Sequence, residues 1–196
     1  MSLLPVFLKL QGRVVLVVGG GEIAEAKVES LLMAHASVCL VSPRINARIA
    51  EWTHEGQVQW RQRAFEPHDI EGAALVIAAT DRPEVNHLVF RESQRRNVLC
   101  NVVDDPPHCD FYFPAVVRRG DLQIAISTNG QSPAFAQQLR QQLELQFTDD
   151  HAQKLAEIGE QRRAILTAQP PSEERKAILH QLARQAMEFT QKGGQR

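Results

Sequence analysis

The sequence predicts an α/β chain built on a doubly wound parallel sheet, followed by a hairpin segment and a helical end. Three observations predict it. Val14-Val15-Leu16-Val17-Val18 is an unbroken apolar run, β-branched except for Leu16, as a strand buried on both faces requires. Gly19-Gly20-Gly21 follows at once, and Ala24, Val28, Leu31 and Leu32 then recur at helical spacing. Further apolar runs alternate with helical patterns as far as Val103, the pattern of parallel strands joined by helical crossovers.

Pro5 to Leu10 is a short apolar lead-in, and the helix after the glycines reaches Met33. Ser37-Val38-Cys39-Leu40-Val41 reads as a second strand, stopped by Ser42-Pro43. Asn46 can cap a helix that runs to Glu55. Val58-Gln59-Trp60-Arg61 alternates in polarity, so it belongs nearer a sheet edge. Leu75 to Ala79 is another buried strand, ended by Thr80-Asp81. Pro83 stands near the start of a helix from Val85 to Asn97. Val98 to Val103 is the next strand, and Asp104-Asp105-Pro106-Pro107 after it cannot easily start a helix.

The pattern changes beyond Pro107. Phe111 to Val117 and Leu122 to Ser127 are strand-like, with Arg118-Arg119-Gly120-Asp121 between them as a hairpin turn. Two strands alone are marginal in water, so they need the first domain or a second chain. Ser132-Pro133 supplies an N-cap and a first-turn proline for a helix whose apolar face is Phe135, Ala136, Leu139 and Leu143. Asp149-Asp150 can cap a helix reaching Leu166. Pro170-Pro171-Ser172 breaks and restarts it, and Ile178-Leu179, Leu182-Ala183 and Ala186-Met187 form a stripe along the last helix. The expected division is 1–112, a nucleotide domain; 113–147, a hairpin and helix; and 148–196, a helical domain.

The 196 residues carry 22 basic and 23 acidic side chains, so no global field favours nucleic acid or an anionic membrane. The N-terminus lacks the basic start and long apolar run of a signal peptide. No window approaches the ~18 uninterrupted apolar residues of a membrane span. A cytoplasmic protein is expected. Cys39, Cys100 and Cys109 are odd in number and form no CxxC, so neither a disulfide framework nor a zinc knuckle is suggested.

Ligands of doubly wound sheets sit beyond the carboxyl ends of the strands. That rule gathers Gly19 to Glu22, Ser42 to Arg44, Thr80-Asp81 and Asp104 at one rim. Gly19 can make the tight turn, Gly21 lets the backbone approach a pyrophosphate, and Ala24 is the third small position. The plainer alternative is a tight turn that binds nothing. Ser42-Pro43-Arg44 stands where a dinucleotide site often places an acid. Ser42 can bond a ribose hydroxyl and Arg44 can accept a 2′-phosphate, which leaves NAD and NADP both open. Asp104 can act as a general base or acid if partly desolvated, or simply cap a turn. His108-Cys109-Asp110 are successive residues that rarely point at one ion, so no metal site is expected. Thr128-Asn129-Gly130 is a compact polar turn that can hold a carboxylate or merely precede a helix.

Several segments then carry a resemblance. Leu4-Pro5-Val6-Phe7, Val17 to Lys27, Ala78 to Asp81 with Asn86, Asn101 to Asp104, Phe113-Pro114-Ala115 and Ser127 to Pro133 fall in the order and spacing of precorrin-2 dehydrogenases. That family includes stand-alone enzymes and the N-terminal half of bifunctional siroheme synthase. The chain resembles it over residues 1–145 and less through the helical end. The resemblance implies a Rossmann-like fold and oxidation of precorrin-2 to sirohydrochlorin with NAD as hydride acceptor. It implies a homodimer paired through the hairpin and the helix after it. Asp104 matches the family's catalytic candidate. Gly19, Gly21, Glu22, Ile23, Ser42, Pro43, Arg44, Thr80 and Val103 match cofactor contacts, and Thr128, Asn129 and Gly130 stand at the substrate. Arg118, Arg119 and Arg140 are candidates for meeting substrate carboxylates. No methyltransferase segment follows before Arg196, so the chain is expected not to make precorrin-2 itself. Two other readings stay open: a non-catalytic NAD- or tetrapyrrole-binding protein, and an enzyme that mainly inserts ferrous iron into sirohydrochlorin.

Overall fold

A computed structural model describes residues 3–193. They form two compact units, one ending at Tyr112 and the other beginning at Phe113. In the first unit, five parallel strands lie in the order β3-β2-β1-β4-β5. They are β1 Val14–Val18, β2 Ser37–Val41, β3 Val58–Arg61, β4 Leu75–Ala78 and β5 Leu99–Val102. Helices α1 Glu22–Met33, α2 Ala47–His54 and α3 Pro83–Arg95 alternate with them. The chain order reverses between β1 and β4, so the crevice of this doubly wound sheet opens beside the end of β1. No helix among the described residues is long and apolar enough to cross a membrane.

The apolar runs become strands because both faces of the sheet are covered. Leu16, Val76, Ala78 and Cys100 are fully buried in one cluster with Ile70 and Val89. Each large side chain so buried contributes about 1.5–3 kcal/mol relative to exposure. The alternating strand β3 lies at an edge of the sheet, as its pattern implies.

That edge is closed by a buried charge. A short 3-10 helix, Pro67–Ile70, carries Asp69, whose side chain is sealed from solvent. Its carboxylate accepts from Arg61 (2.6 Å), from both terminal nitrogens of Arg63 (2.8 and 2.6 Å) and from the Glu66 N–H (2.9 Å). Burial pushes the carboxyl up, but these donors outweigh it and hold the group at about 2, below its ordinary 3.8. The folded value is the lower one, so the stabilisation is present above the unfolded value and is lost as pH falls through the folded one. Titrating urea unfolding from about pH 5 to about pH 2 should therefore cost the native protein roughly 2 kcal/mol more than the Asp69→Asn variant loses over the same range. Equal acid sensitivity in both would show that the arginines do not hold this carboxylate.

The second unit begins with an antiparallel pair, β6 Ala115–Arg119 and β7 Leu122–Ile126, turned at Gly120 with φ +55°. Strand pairing starts at Ala115 rather than at Phe111. The preceding residues are held to β5 instead: the Asn101 side-chain amide donates to the Phe111 carbonyl (2.7 Å), and the Asp110 N–H donates to the Cys100 carbonyl (2.8 Å). Helices α4 Pro133–Gln146, α5 Asp149–Ala168 and α6 Glu173–Gly193 follow. Ser132 caps α4 by accepting from the Phe135 N–H (3.2 Å). Of the expected apolar face of α4, Ala136 is buried but Phe135 is 57% exposed. Thr148, one residue earlier than expected, is the N-cap of α5, and Asp149 and Asp150 lie in its first turn, where the helix dipole favours acids.

Candidate functional site

The glycine turn is built by close packing at its first two positions and left open at the third. Gly19 has φ +124°, and a Cβ there would stand 2.3 Å from the Ala79 carbonyl oxygen at the end of β4. A Cβ on Gly20 would stand 2.2 Å from the Arg44 carbonyl oxygen. Neither position has room for a side chain. A Cβ on Gly21 would meet nothing within 4 Å.

Gly21 is also the N-cap of α1 and provides no side-chain acceptor. The first intrahelical bond runs from the Glu25 N–H to the Gly21 carbonyl (3.0 Å), which leaves the first-turn N–H groups at Glu22 and Ile23 aimed at the rim. Open space before a helix start with free donors suits a pyrophosphate. Ala24, the third small position, is fully buried. Asn46 fastens the loop from behind. Its N–H donates to the Gly20 carbonyl (2.9 Å), its amide donates to Glu25 (2.5 Å), and its oxygen caps α2 at the Ile49 N–H (3.0 Å).

The other rim residues fall around this turn. Ser42 is buried, and its hydroxyl donates to the Arg44 carbonyl (2.6 Å), so it shapes the loop and has only acceptor capacity left for a ribose. Pro43 and Arg44 are exposed. Thr80 is gripped by Asn86 on α3: the Asn86 amide oxygen accepts from the Thr80 hydroxyl (2.7 Å) and N–H (3.2 Å). The Val103 N–H donates to the Ala78 carbonyl (3.0 Å), which holds the end of β5 against the end of β4.

Asp104 follows Val103 at φ +60°, a left-handed position that aspartate tolerates better than most residues. Asp104 is exposed, just past the end of β5 at Val102, so the condition of partial desolvation is not met by this chain alone. Across from it, Lys27 on α1 is held below the ordinary lysine value by burial, while the negative charge of Asp104 pulls it back up. Lys27 is the charged neighbour that sequence reasoning missed. Its signal was the one-turn spacing from Ile23 along α1.

The structure separates the three successive residues His108, Cys109 and Asp110. His108 Nδ1 faces the Asp105 carboxylate (2.8 Å), the Cys109 thiol donates to the Val102 carbonyl (3.0 Å), and Asp110 accepts from the Cys100 N–H (2.9 Å). In the second unit, Thr128, Asn129 and Gly130 make the turn before α4, with Asn129 at φ +54° and Gly130 at +77°. The Thr128 hydroxyl donates to the Ser132 carbonyl (3.1 Å). Arg119 donates to the Glu144 carbonyl (3.0 Å), and Arg140 pairs with the Glu144 carboxylate, so both are committed within the unit.

Known proteins are similar to this chain in sequence and fold. A family model for NAD(P)-binding proteins matches residues 6–115, and a model for the central part of sirohaem biosynthesis proteins matches residues 119–146. The siroheme synthase of Methylobacillus flagellatus is 44% identical over 165 residues, 84% of this chain and 35% of that protein. Siroheme synthase 1 of Pectobacterium atrosepticum is 46% identical over 144 residues, 74% of this chain and 30% of that protein. The chain thus spans about a third of the length of these relatives. The solved structure of SirC, precorrin-2 dehydrogenase, superimposes with a TM-score of 0.80 at 26% identity, covering 97% of this chain and 100% of that one. The chain belongs to the NAD(P)-binding family shared by siroheme synthases and precorrin-2 dehydrogenases.

Proposed function

We propose that the chain is an NAD-dependent precorrin-2 dehydrogenase that makes sirohydrochlorin for siroheme biosynthesis. The observation that carries this reading is the extent of the likeness to SirC, which covers nearly all of both chains rather than the dinucleotide unit alone.

Oxidation of precorrin-2 removes a hydride and a proton. Bound NAD supplies the hydride acceptor. Gly21, Glu22 and Ile23 would take the pyrophosphate on backbone N–H groups, while Gly19, whose own N–H is held by the Val41 carbonyl (3.0 Å), makes the turn, and Ser42, Pro43 and Arg44 would hold the adenosine ribose. Thr80 and Val103 line the nicotinamide end, where Asn86 keeps Thr80 from turning. Asp104 receives the proton at its exposed carboxylate. Thr128, Asn129 and Gly130 bind carboxylates of the tetrapyrrole.

The active form is a cytoplasmic homodimer. Residues 113–147 are the dimerisation segment, between the nucleotide domain at 1–112 and the helical domain at 148–196. A two-stranded sheet gains stability from further partners. Phe135 and Leu145 on α4 are 57% and 82% exposed, which supplies apolar surface for a second copy.

The test is to mix the protein with precorrin-2 and NAD without oxygen and to follow NADH and sirohydrochlorin together. Equal formation of both is expected. Tight NAD binding with neither product would replace the proposal with a non-catalytic binding protein.

A further inference from the structure

We infer that His87, Asp105 and His108 form a binding site for a divalent first-row transition-metal ion. The inference goes beyond the dehydrogenase reading and does not rest on it.

The three ligand atoms come from two rigid elements. Asp105 and His108 flank Pro106 and Pro107 in a short 3-10 turn, Pro106–His108, closed by the His108 N–H donating to the Asp105 carbonyl (3.0 Å). Residues three apart eclipse in a 3-10 turn, so the carboxylate and the imidazole stand on one side. The two prolines fix their own φ angles and stiffen that spacing. His87 comes from α3, next to Asn86, and α3 is anchored by buried Val89.

Both imidazoles face the same carboxylate oxygen. Asp105 Oδ2 lies 3.1 Å from His87 Nε2 and 2.8 Å from His108 Nδ1. The three ligand atoms lie within 4.8 Å of one another. The ring centroids of His87 and His108 stand 4.6 Å apart, and Phe90 packs against the His108 ring in a T-shaped contact at 4.9 Å. Ligand atoms on one tetrahedral ion are roughly 3.4 Å apart at bond lengths near 2.1 Å. Only the His87–His108 separation has to close, and His87 is 49% exposed and has space to move.

The donor set selects the ion. Two neutral imidazoles and one carboxylate suit iron, cobalt, nickel or zinc, whereas calcium and magnesium require shells of oxygen. Three protein ligands leave a coordination position open, and the partial exposure of His108 and Asp105 (35% and 27%) leaves solvent access to it. Cys109 is not part of the set, because its thiol points at the Val102 carbonyl.

Cobalt(II) is the probe, since its visible bands report the ligand field. Titrate the untagged, metal-free protein with cobalt(II) and repeat with His87→Gln, His108→Gln and the double variant, checking each fold by circular dichroism and NAD binding. The expected result is one ion per chain with imidazole-type bands, weakened at least roughly tenfold by either single change and abolished by both. No saturable band in the native protein, or the same band in the double variant, overturns the site. Neither result bears on NADH formation, so this site and the dehydrogenase reading fail separately.

Discussion

Gly21→Ala should weaken NAD binding by roughly 5- to 150-fold while leaving the protein folded. Gly20→Ala, one residue away, should instead lower stability. The difference comes from what each new methyl group meets. At Gly20 it would lie 2.2 Å from the Arg44 carbonyl oxygen, so backbone must move, at a cost of about 1–3 kcal/mol. At Gly21 it enters open space within the protein, and φ −91° suits any residue. Losing glycine as the N-cap costs at most about 1 kcal/mol. That space is where the pyrophosphate approaches the start of α1. A methyl group there imposes about 1–3 kcal/mol on the bound state, which is the quoted fold-change in affinity. Fluorescence titration with NADH and urea unfolding of both variants separate the two effects. Unchanged NADH affinity in Gly21→Ala would remove the glycine turn from cofactor binding.

The same contrast shows what was legible in the sequence. Strand, glycines and helix were readable because each depends on neighbours in the chain: apolar β-branched residues, then residues without side chains, then a 3.6-residue stripe. The edge position of β3 was readable from its alternation. Which glycines are sterically required was not, because Ala79 and Arg44 approach from distant segments. The late start of β6 was hidden for the same reason. Asn101 and Cys100 hold residues 110 and 111 through bonds that span about ten positions. His108-Cys109-Asp110 drew attention as consecutive residues, yet the convergent group is His87, Asp105 and His108. His87 joins it only because α3 packs beside β5. The arginines show the reverse case. Arg119 and Arg140 looked available to substrate, but local acceptors in the second unit engage both.

Asp104→Asn should lower turnover of precorrin-2 by roughly 10²- to 10⁴-fold, the range that a positioned proton-transfer group supplies, with NAD affinity and folding unchanged. The backbone dictates asparagine as the replacement. At φ +60°, alanine would add left-handed strain of about 1–2 kcal/mol and confound the result, whereas asparagine adopts this region about as readily as aspartate. The side chain is exposed, so the amide leaves no buried polar group without a partner. The change removes one negative charge and the ability to take up a proton, and little else. Lys27 provides an internal control, because it senses the Asp104 charge but is held chiefly by its own burial. Lys27→Met should therefore slow the reaction less than Asp104→Asn does if the carboxylate itself carries the proton. Single-turnover measurement of NADH formation under saturating NAD reads the step directly and separates it from product release. Native rates in Asp104→Asn would move proton transfer elsewhere on the rim, and loss of NAD binding in that variant would recast Asp104 as a residue that positions the cofactor.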